Sequence, residues 1–449
     1  MGGEVSRRLG LNMESKQIMK NLIRIMTLIL GLAGGVYAQS ALEQLGAGKY
    51  AEVAVPAIPM ASAARVSDGP GRTARANTVT IYFCGTGMTK AWWQAADAHS
   101  ADGSNGYWSP ELVATLFKEQ GEESYKFVVD GVGTDAASGS DNLLDQGFPS
   151  SPLAKRGWAK CLDEALAYLD SVLASTTGDI TLNLVGHSRG GVLTLMAANK
   201  VKDNPRIKAI NILALDPVPG DSSLPAATYG LSGKVKNYVG IYAEDERTVM
   251  FEPVIPAAGP GTKIWLLTLP GSHEAFTGKT QKDGHSRNNY FGAKLKDGDT
   301  HLPELEPLAR LTKMIAAELL VSQDWGGVRF NWTWRQGTAE ESKAEFLNTA
   351  REMRSAKAAE LYAYQRTVSY LPSFNPFGTS LAAFINGASY NISYSDIRAG
   401  IQNGPRVAYK MEGGALRAAA LDQAVSGRET PERMLNKLME LGGLGTAGY

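Results

Sequence analysis

Six short segments rich in apolar and β-branched residues recur along the first two thirds of the chain, and they constrain its fold more than any other feature. Loops or helical patterns separate these segments, which span residues 78–87, 124–134, 179–188, 207–218, 235–245 and 262–273. Continuous apolar strands of this kind are typical of parallel sheets buried on both faces. The sequence therefore predicts an α/β fold with a mostly parallel, doubly wound sheet.

Helical patterns complete this architecture. One helix is predicted between the second and third strands, where apolar residues recur at helical spacing through Trp158, Leu162, Leu166, Leu169 and Leu173. Another should follow directly after Ser188. From about residue 303 onward the periodicity predicts a helical extension. An irregular stretch, residues 370–404, interrupts it before a second helix-rich stretch closes the chain.

The N-terminal residues have the pattern of an export signal. Two basic residues, Lys20 and Arg24, precede an apolar run over residues 25–35, and a small-x-small cleavage pattern ends at Ala38. The apolar run is shorter than the about 20 residues that a transmembrane helix needs. We therefore predict a signal peptide and a secreted or periplasmic protein.

These patterns divide the chain into four parts. We predict a signal peptide over residues 1–38, a loose lead-in over 39–75, an α/β domain that contains the predicted sheet over 76–325, and a helix-rich C-terminal region of unknown function over 326–449. The lead-in is assigned from its Ala, Gly, Ser and Pro content.

Composition excludes several functions. Lysine plus arginine equals aspartate plus glutamate, 45 each, so nothing indicates a nucleic-acid partner. Neither a cysteine pair nor a histidine cluster has the spacing of metal ligands, and we predict no metal and no cofactor. Cys84 ends an apolar strand and Cys161 lies in a predicted helix, so both should be buried thiols.

The segment Gly186-His187-Ser188-Arg189-Gly190 lies between a predicted strand and a predicted helix. A strand, then G-x-S-x-G, then a helix is the context of a nucleophile elbow, in which a serine sits on a sharp, strained turn. Glycines are needed on both sides because side chains there would collide with the neighbouring strand and helix. Ser188 is therefore the candidate nucleophile.

A nucleophilic serine needs a base, and the chain has five histidines: His99, His187, His273, His285 and His301. In the α/β-hydrolase order the histidine follows the last strand. His273 occupies that place, whereas His285 and His301 lie further out in polar loops. His187 is adjacent to the serine and should point away from it. We therefore predict His273 as the base.

The base needs an acid that fixes its tautomer and stabilises the imidazolium. Asp216 and Asp245 both end strands between Ser188 and His273, and chain order alone does not choose between them. The oxyanion hole should combine the backbone N–H of Arg189 with that of Gly85 or Thr86, in the glycine-rich loop after the first strand.

Six segments in order carry a resemblance to a known family. They are FCGTGM from Phe83, DGVGTD from Asp130, GHSRGG from Gly186, LDPVPG from Leu215, DERTVMFEP from Asp245 and LPGSHEAFTG from Leu269. Residues 78–280 thus resemble the uncharacterised α/β-hydrolases that include phospholipase effectors of the type VI secretion system. The resemblance implies Ser188 as nucleophile, His273 as base and Asp216 as acid, because Asp216 occupies the place of the aspartate in that family.

The function expected from this resemblance is hydrolysis of carboxylic esters, with lipids or phospholipids as substrates and transient contact with a membrane surface. Two alternatives stay open. One is a catalytically silent α/β-hydrolase fold used for binding, and the other is a serine peptidase or thioesterase, since the same triad serves all acyl transfers.

Overall fold

The computed structural model describes residues 77–88, 112–134, 156–220, 224–244, 246, 251–271, 273, 306–335, 337–354, 366–369, 389–392 and 406–441. The chain divides into two compact units, Met1–Asp68 and Gly69–Tyr449, and every described residue belongs to the second. The signal peptide and the lead-in that we predict lie outside the described residues.

The second unit is built on a sheet of six parallel strands. They are β1 (Asn77–Phe83), β2 (Tyr125–Val129), β3 (Ile180–His187), β4 (Ile207–Leu215), β5 (Val235–Ala243) and, after a short strand β6 (Val254–Ile255), β7 (Lys263–Leu269). Their order in the sheet is β2-β1-β3-β4-β5-β7, with every neighbouring pair parallel. The predicted α/β fold class is confirmed.

Helices cover both faces of the sheet. They are α1 (Leu112–Glu119), α2 (Trp158–Ser175), α3 (Arg189–Val201), α4 (Glu306–Val321) and α5 (Ala339–Met353). Alternate residues of β1 separate the two cores, as expected for a strand buried on both faces. Tyr82 packs in the core that includes Leu116 of α1 and Leu319 of α4, whereas Ile81 packs in the core that includes Trp158 of α2.

The topology fixes where a ligand site should lie. The chain runs from β1 to β2 on one side and places β3 on the other side of β1. The loops after β1 and β3 therefore diverge at the carboxyl ends of these strands. In open parallel sheets this switch point opens the crevice that binds ligands.

The C-terminal part is less helical than we predicted. It contains two antiparallel pairs, β8 (Arg366–Ser369) with β9 (Ser389–Ile392) and β10 (Val407–Glu412) with β11 (Ala415–Ala420), before helices α6 (Leu421–Ala424) and α7 (Pro431–Glu440). The β10–β11 hairpin turns at Gly413 and Gly414, which both have positive φ. A Gly-Gly pair of this conformation favours a tight two-residue hairpin, and this local signal explains why strands replace the expected helix.

The C-terminal elements pack directly on the α/β sheet. Phe346 of α5 and Leu438 of α7 lie in the same core as Leu319 of α4. Strand β10 pairs in parallel with β6, and Glu429 donates its N–H to the carbonyl of Leu266 in β7. Residues on both sides of position 325 therefore share one hydrophobic core.

Candidate active site

Ser188 lies in a strained turn between β3 and α3. Its φ of 57° and ψ of −127° are outside the regions that non-glycine residues ordinarily occupy, and such a conformation costs about 1–3 kcal/mol. The flanking glycines make the turn feasible. A Cβ on Gly186 would lie 2.2 Å from the carbonyl oxygen of Gly190, and a Cβ on Gly190 would lie 2.2 Å from that of Phe83.

Asp216 lies beside the elbow at the end of the neighbouring strand. His187 and Leu215, the residues that precede Ser188 and Asp216, are register partners in the β3–β4 pair, and the N–H of Ser188 donates to the carbonyl of Leu215 at 2.9 Å. Asp216 also has an unusual φ of 42° and is fully buried. Among the described residues, Ser188 and Asp216 are the only non-glycine positions with positive φ.

His273 meets Asp216 at this edge of the sheet. Its Nδ1 lies 2.6 Å from Oδ2 of Asp216, and its backbone N–H donates to Oε2 of Glu246 at 3.2 Å. Since the carboxylate can only accept, Nδ1 carries the proton and Nε2 of the neutral ring is an acceptor. Nε2 is buried and makes no hydrogen bond with the described residues.

Burial sets the charge state of this pair. Burial lowers the pKa of His273 below its usual value, and the effect outweighs the hydrogen bond that Nδ1 donates to Asp216, which acts in the opposite direction. Burial raises the pKa of Asp216, but the charge of Arg406 and the hydrogen bond with His273 more than offset it, so that pKa lies below its usual value. The favoured state is therefore a neutral imidazole beside a carboxylate.

Arg406 is a site residue that sequence reasoning missed. Its Nη1 and Nη2 donate to Oδ1 and Oδ2 of Asp216 at 2.8 and 2.7 Å, and both side chains are buried. The arginine is 190 residues from the aspartate along the chain, within the part that carried no motif. No pattern in the sequence connects the two positions.

Two further rings contact the imidazole of His273. The ring of His187, which we expected to point away from Ser188, lies 4.6 Å from that of His273 between centroids, and its Nε2 is 3.2 Å from the carbonyl oxygen of His273. The ring of Phe251 meets the imidazole edge to face at 4.9 Å. These contacts restrict the orientation of the imidazole.

The residues predicted for the oxyanion hole lie in two facing segments. The loop after β1 turns through Gly85 and Thr86, with the N–H of Met88 donating to the carbonyl of Gly85 at 3.0 Å. The side chain of Arg189 reaches this loop, since its Nη1 lies 3.4 Å from Oγ1 of Thr86. Arg189 is the first residue of α3, so its backbone N–H belongs to the first turn, whose N–H groups point toward the N-terminal end of the helix.

The competing candidates fall outside the described part of the chain. Asp245, the alternative acid, is not among the described residues, and neither are His99, His285 and His301. The described residues hold no group of histidine, cysteine or acidic side chains that could bind a metal ion. Cys84 and Cys161 are both buried thiols, as predicted from their positions in a strand end and a helix.

No protein-family model matches the chain, and no curated protein matches it. Solved structures similar to it include the Tle1 effector bound to the VgrG spike of the type VI secretion system, at 16% identity and a TM-score of 0.28 over 45% of this chain and 51% of that chain. An uncharacterised protein from Pseudomonas aeruginosa is 15% identical, with a TM-score of 0.35 over 83% and 64%.

A third similar structure is Est1E from Butyrivibrio proteoclasticus with bound ferulic acid, at 14% identity and a TM-score of 0.28 over 55% of this chain and 90% of that chain. The chain spans about half of the Tle1 chain and 64% of the Pseudomonas aeruginosa protein. The parallel sheet and the strand–serine–helix turn at its switch point are those of an α/β-hydrolase fold.

Proposed function

We propose that this protein is a serine hydrolase that cleaves carboxylic esters through an acyl-enzyme intermediate. One observation carries the proposal. The two strained non-glycine residues of the described chain, Ser188 and Asp216, end neighbouring strands, and Asp216 binds a buried histidine. Backbone strain of this kind clusters at active sites, where the surrounding structure holds it in place.

In the proposed reaction the hydroxyl of Ser188 attacks the ester carbonyl carbon while Nε2 of His273 accepts the hydroxyl proton. The resulting imidazolium is stabilised by the carboxylate of Asp216, which also keeps the proton of the neutral ring on Nδ1. His273 then donates its proton to the alcohol oxygen as the carbon–oxygen bond breaks. The alcohol leaves and Ser188 retains the acyl group.

The second half of the reaction uses the same groups. Water attacks the acyl-enzyme, His273 accepts a proton from it, and the acid product leaves as Ser188 regains its hydrogen. In both acylation and deacylation the carbonyl oxygen of the substrate becomes negatively charged. The backbone N–H groups of Arg189 and of Gly85 or Thr86 are proposed to stabilise this oxyanion. Removing one such donor typically costs about 10²- to 10³-fold in turnover.

The family resemblance supports lipids and phospholipids as the substrate class, with transient contact at a membrane surface. The proposed compartment is extracellular or periplasmic, on the strength of the N-terminal export pattern. Within the described ranges, no helix has both the length and the apolar character needed to cross a bilayer.

Ser188→Ala tests the proposal. It should abolish hydrolysis of p-nitrophenyl esters and labelling by a fluorophosphonate probe, with a loss of about 10⁴- to 10⁶-fold in rate. Ser171→Ala is the matched control, because the hydroxyl of Ser171 is on an exposed part of α2. More than a tenth of wild-type activity in Ser188→Ala would refute the assignment.

The same measurements separate the alternative functions. A wild-type protein that neither reacts with the probe nor cleaves any ester would favour the silent binding protein. Esters of graded chain length, phospholipids, thioesters and peptides, compared by kcat/KM, distinguish a lipase or phospholipase from a thioesterase or peptidase.

A further inference from the structure

The carboxylate of Asp216 is held by donors on every side. Oδ1 accepts from Nη1 of Arg406 at 2.8 Å and from the N–H of Ala243 at 3.3 Å. Oδ2 accepts from Nη2 of Arg406 at 2.7 Å and from Nδ1 of His273 at 2.6 Å. A planar guanidinium bound to both oxygens prevents rotation of the carboxylate about its terminal bond. Arg406 thus fixes the plane of the carboxylate relative to the imidazole.

We propose that Arg406 is a positioning residue that orients Asp216 toward His273 and balances its charge, which extends ester hydrolysis to acidic pH. The proposal rests on the proposed function, since it concerns the same acid and base. It adds a residue from the C-terminal part of the chain, for which the sequence indicated no role.

Described residues hold both the backbone of Arg406 and its guanidinium in place. Its carbonyl accepts from the N–H of Leu421 at 2.7 Å, and the following strand, β10, pairs with β6. Its guanidinium also donates to the carbonyl oxygens of Ala243 and of Phe251, the latter at 2.7 Å. These hydrogen bonds from Nη1 and Nη2 hold the guanidinium in place without any contribution from a substrate.

The charge balance around His273 determines the sign of the pH effect. Among the described residues, the titratable and charged groups that face the pair come from the ends of β3, β4 and β5, from β5 itself and from the residue before β10. These groups are His187, Asp216, Glu246, Tyr238, Tyr242 and Arg406.

In this set, the carboxylates of Asp216 and Glu246 favour the protonated form of His273. Arg406 is the permanently positive group of the set, and its charge opposes their effect. Without it, the negative charge of Asp216 would act fully on His273 and stabilise the protonated ring. A protonated ring cannot accept the proton of Ser188. Loss of Arg406 should therefore move the acid limb of the activity profile to higher pH.

The test is the pH dependence of kcat/KM for a p-nitrophenyl ester. In the wild type, the half-point of the acid limb should lie below about 6.5, the usual histidine pKa. In Arg406→Gln it should rise by about one pH unit or more, with a lower kcat. Arg428→Gln is the control, because Arg428 lies in the same segment but pairs with Glu244, and its profile should match the wild type.

Arg406→Lys separates charge from orientation. Lysine keeps the positive charge but cannot bind both carboxylate oxygens in one plane, so the acid limb should stay near the wild-type position while kcat falls about tenfold or more. Full kcat in this variant would overturn the positioning role.

Two outcomes distinguish this proposal from the proposed function. If Ser188 reacts with a fluorophosphonate but the acid limb of the activity profile does not move in Arg406→Gln, only the role of Arg406 is overturned. A wild-type acid limb with its half-point above pH 6.5 would also overturn that role, and this measurement does not depend on whether a variant folds. Failure of Ser188 to react in the wild type overturns the proposed function itself.

Discussion

Asp216→Asn should damage stability and turnover by two separate mechanisms. The substitution keeps the shape of the side chain but removes its charge. Arg406 is almost fully buried and would lose the only carboxylate within its described contacts. Breaking a buried ion pair by removing one partner costs about 3–5 kcal/mol. Urea denaturation at low temperature should show this loss in the free energy of unfolding.

The loss of turnover has a different cause. An asparagine can present its amide N–H₂ to Nδ1 of His273 and so favour the tautomer that cannot act as base at Nε2. In a Ser-His-Asp triad this change costs about 10⁴-fold in turnover. Steady-state kinetics with p-nitrophenyl butyrate measure it at pH 8, where His273 is neutral in both proteins. Asp245→Asn, which alters the alternative acid, should lose far less.

A second substitution separates the two mechanisms. In Asp216→Asn with Arg406→Gln, no uncompensated buried charge remains, so the double variant should lose less stability than the sum of the single variants by about 2–3 kcal/mol. Its turnover should stay low, because His273 still lacks an anionic partner. Additive losses in the free energy of unfolding would refute the buried ion pair. An inactive Asp245→Asn variant together with an active Asp216→Asn variant would show that Asp245 is the acid.

Three other predictions concern the elbow, a buried glutamate and the leader. Gly190→Ala should destabilise the protein by more than about 2 kcal/mol, because its Cβ would lie 2.2 Å from the carbonyl oxygen of Phe83. Gly230→Ala, whose Cβ meets nothing closer than 3.8 Å, is the control, and equal melting temperatures would contradict the clash. Burial raises the pKa of Glu318 to about 7 despite its pairing with Arg335. The folded state therefore binds a proton that the unfolded state releases, and the free energy of unfolding should rise as pH falls from 8 to 6. Glu318→Gln should reduce this pH dependence, and an unchanged pH dependence would show that Glu318 is not its source. N-terminal sequencing of the exported protein should find a cleavage near Ala38, and a mature chain that retains residues 1–38 would contradict export.

Much of the sheet could be predicted because each strand carries its own signal. The segment Ile207–Leu215 is a continuous apolar run bounded by polar residues, and the pattern is local. Chain order and strand ends were also enough to select His273 and to limit the acid to Asp216 or Asp245, and the family resemblance then favoured Asp216. The structure brings the side chains of Asp216 and His273 into contact. The roles assigned to them remain predictions.

Contacts between distant segments could not be predicted in this way. Arg406 follows a stretch rich in glycine and asparagine and precedes a strand of only six residues. Nothing near it distinguishes it from a surface arginine. Its burial results from the pairing of β10 with β6, which brings together residues that are 155 positions apart, such as Val254 and Tyr409. A pattern read along one segment carries no information about such a pairing.

The position of Arg406 makes the C-terminal part a component of the site. Ser188, Asp216 and His273 all follow strands of the central sheet, but the charge of Asp216 is balanced from the residue before β10. Among the described residues, removal of 406–449 would therefore leave this buried carboxylate with the N–H of Ala243 and a neutral imidazole as partners, and with no opposite charge. It would also expose apolar side chains of α4 that now pack against Leu438. Because an uncompensated buried charge and an uncovered core both favour unfolding, the proposed chemistry requires both parts of the chain.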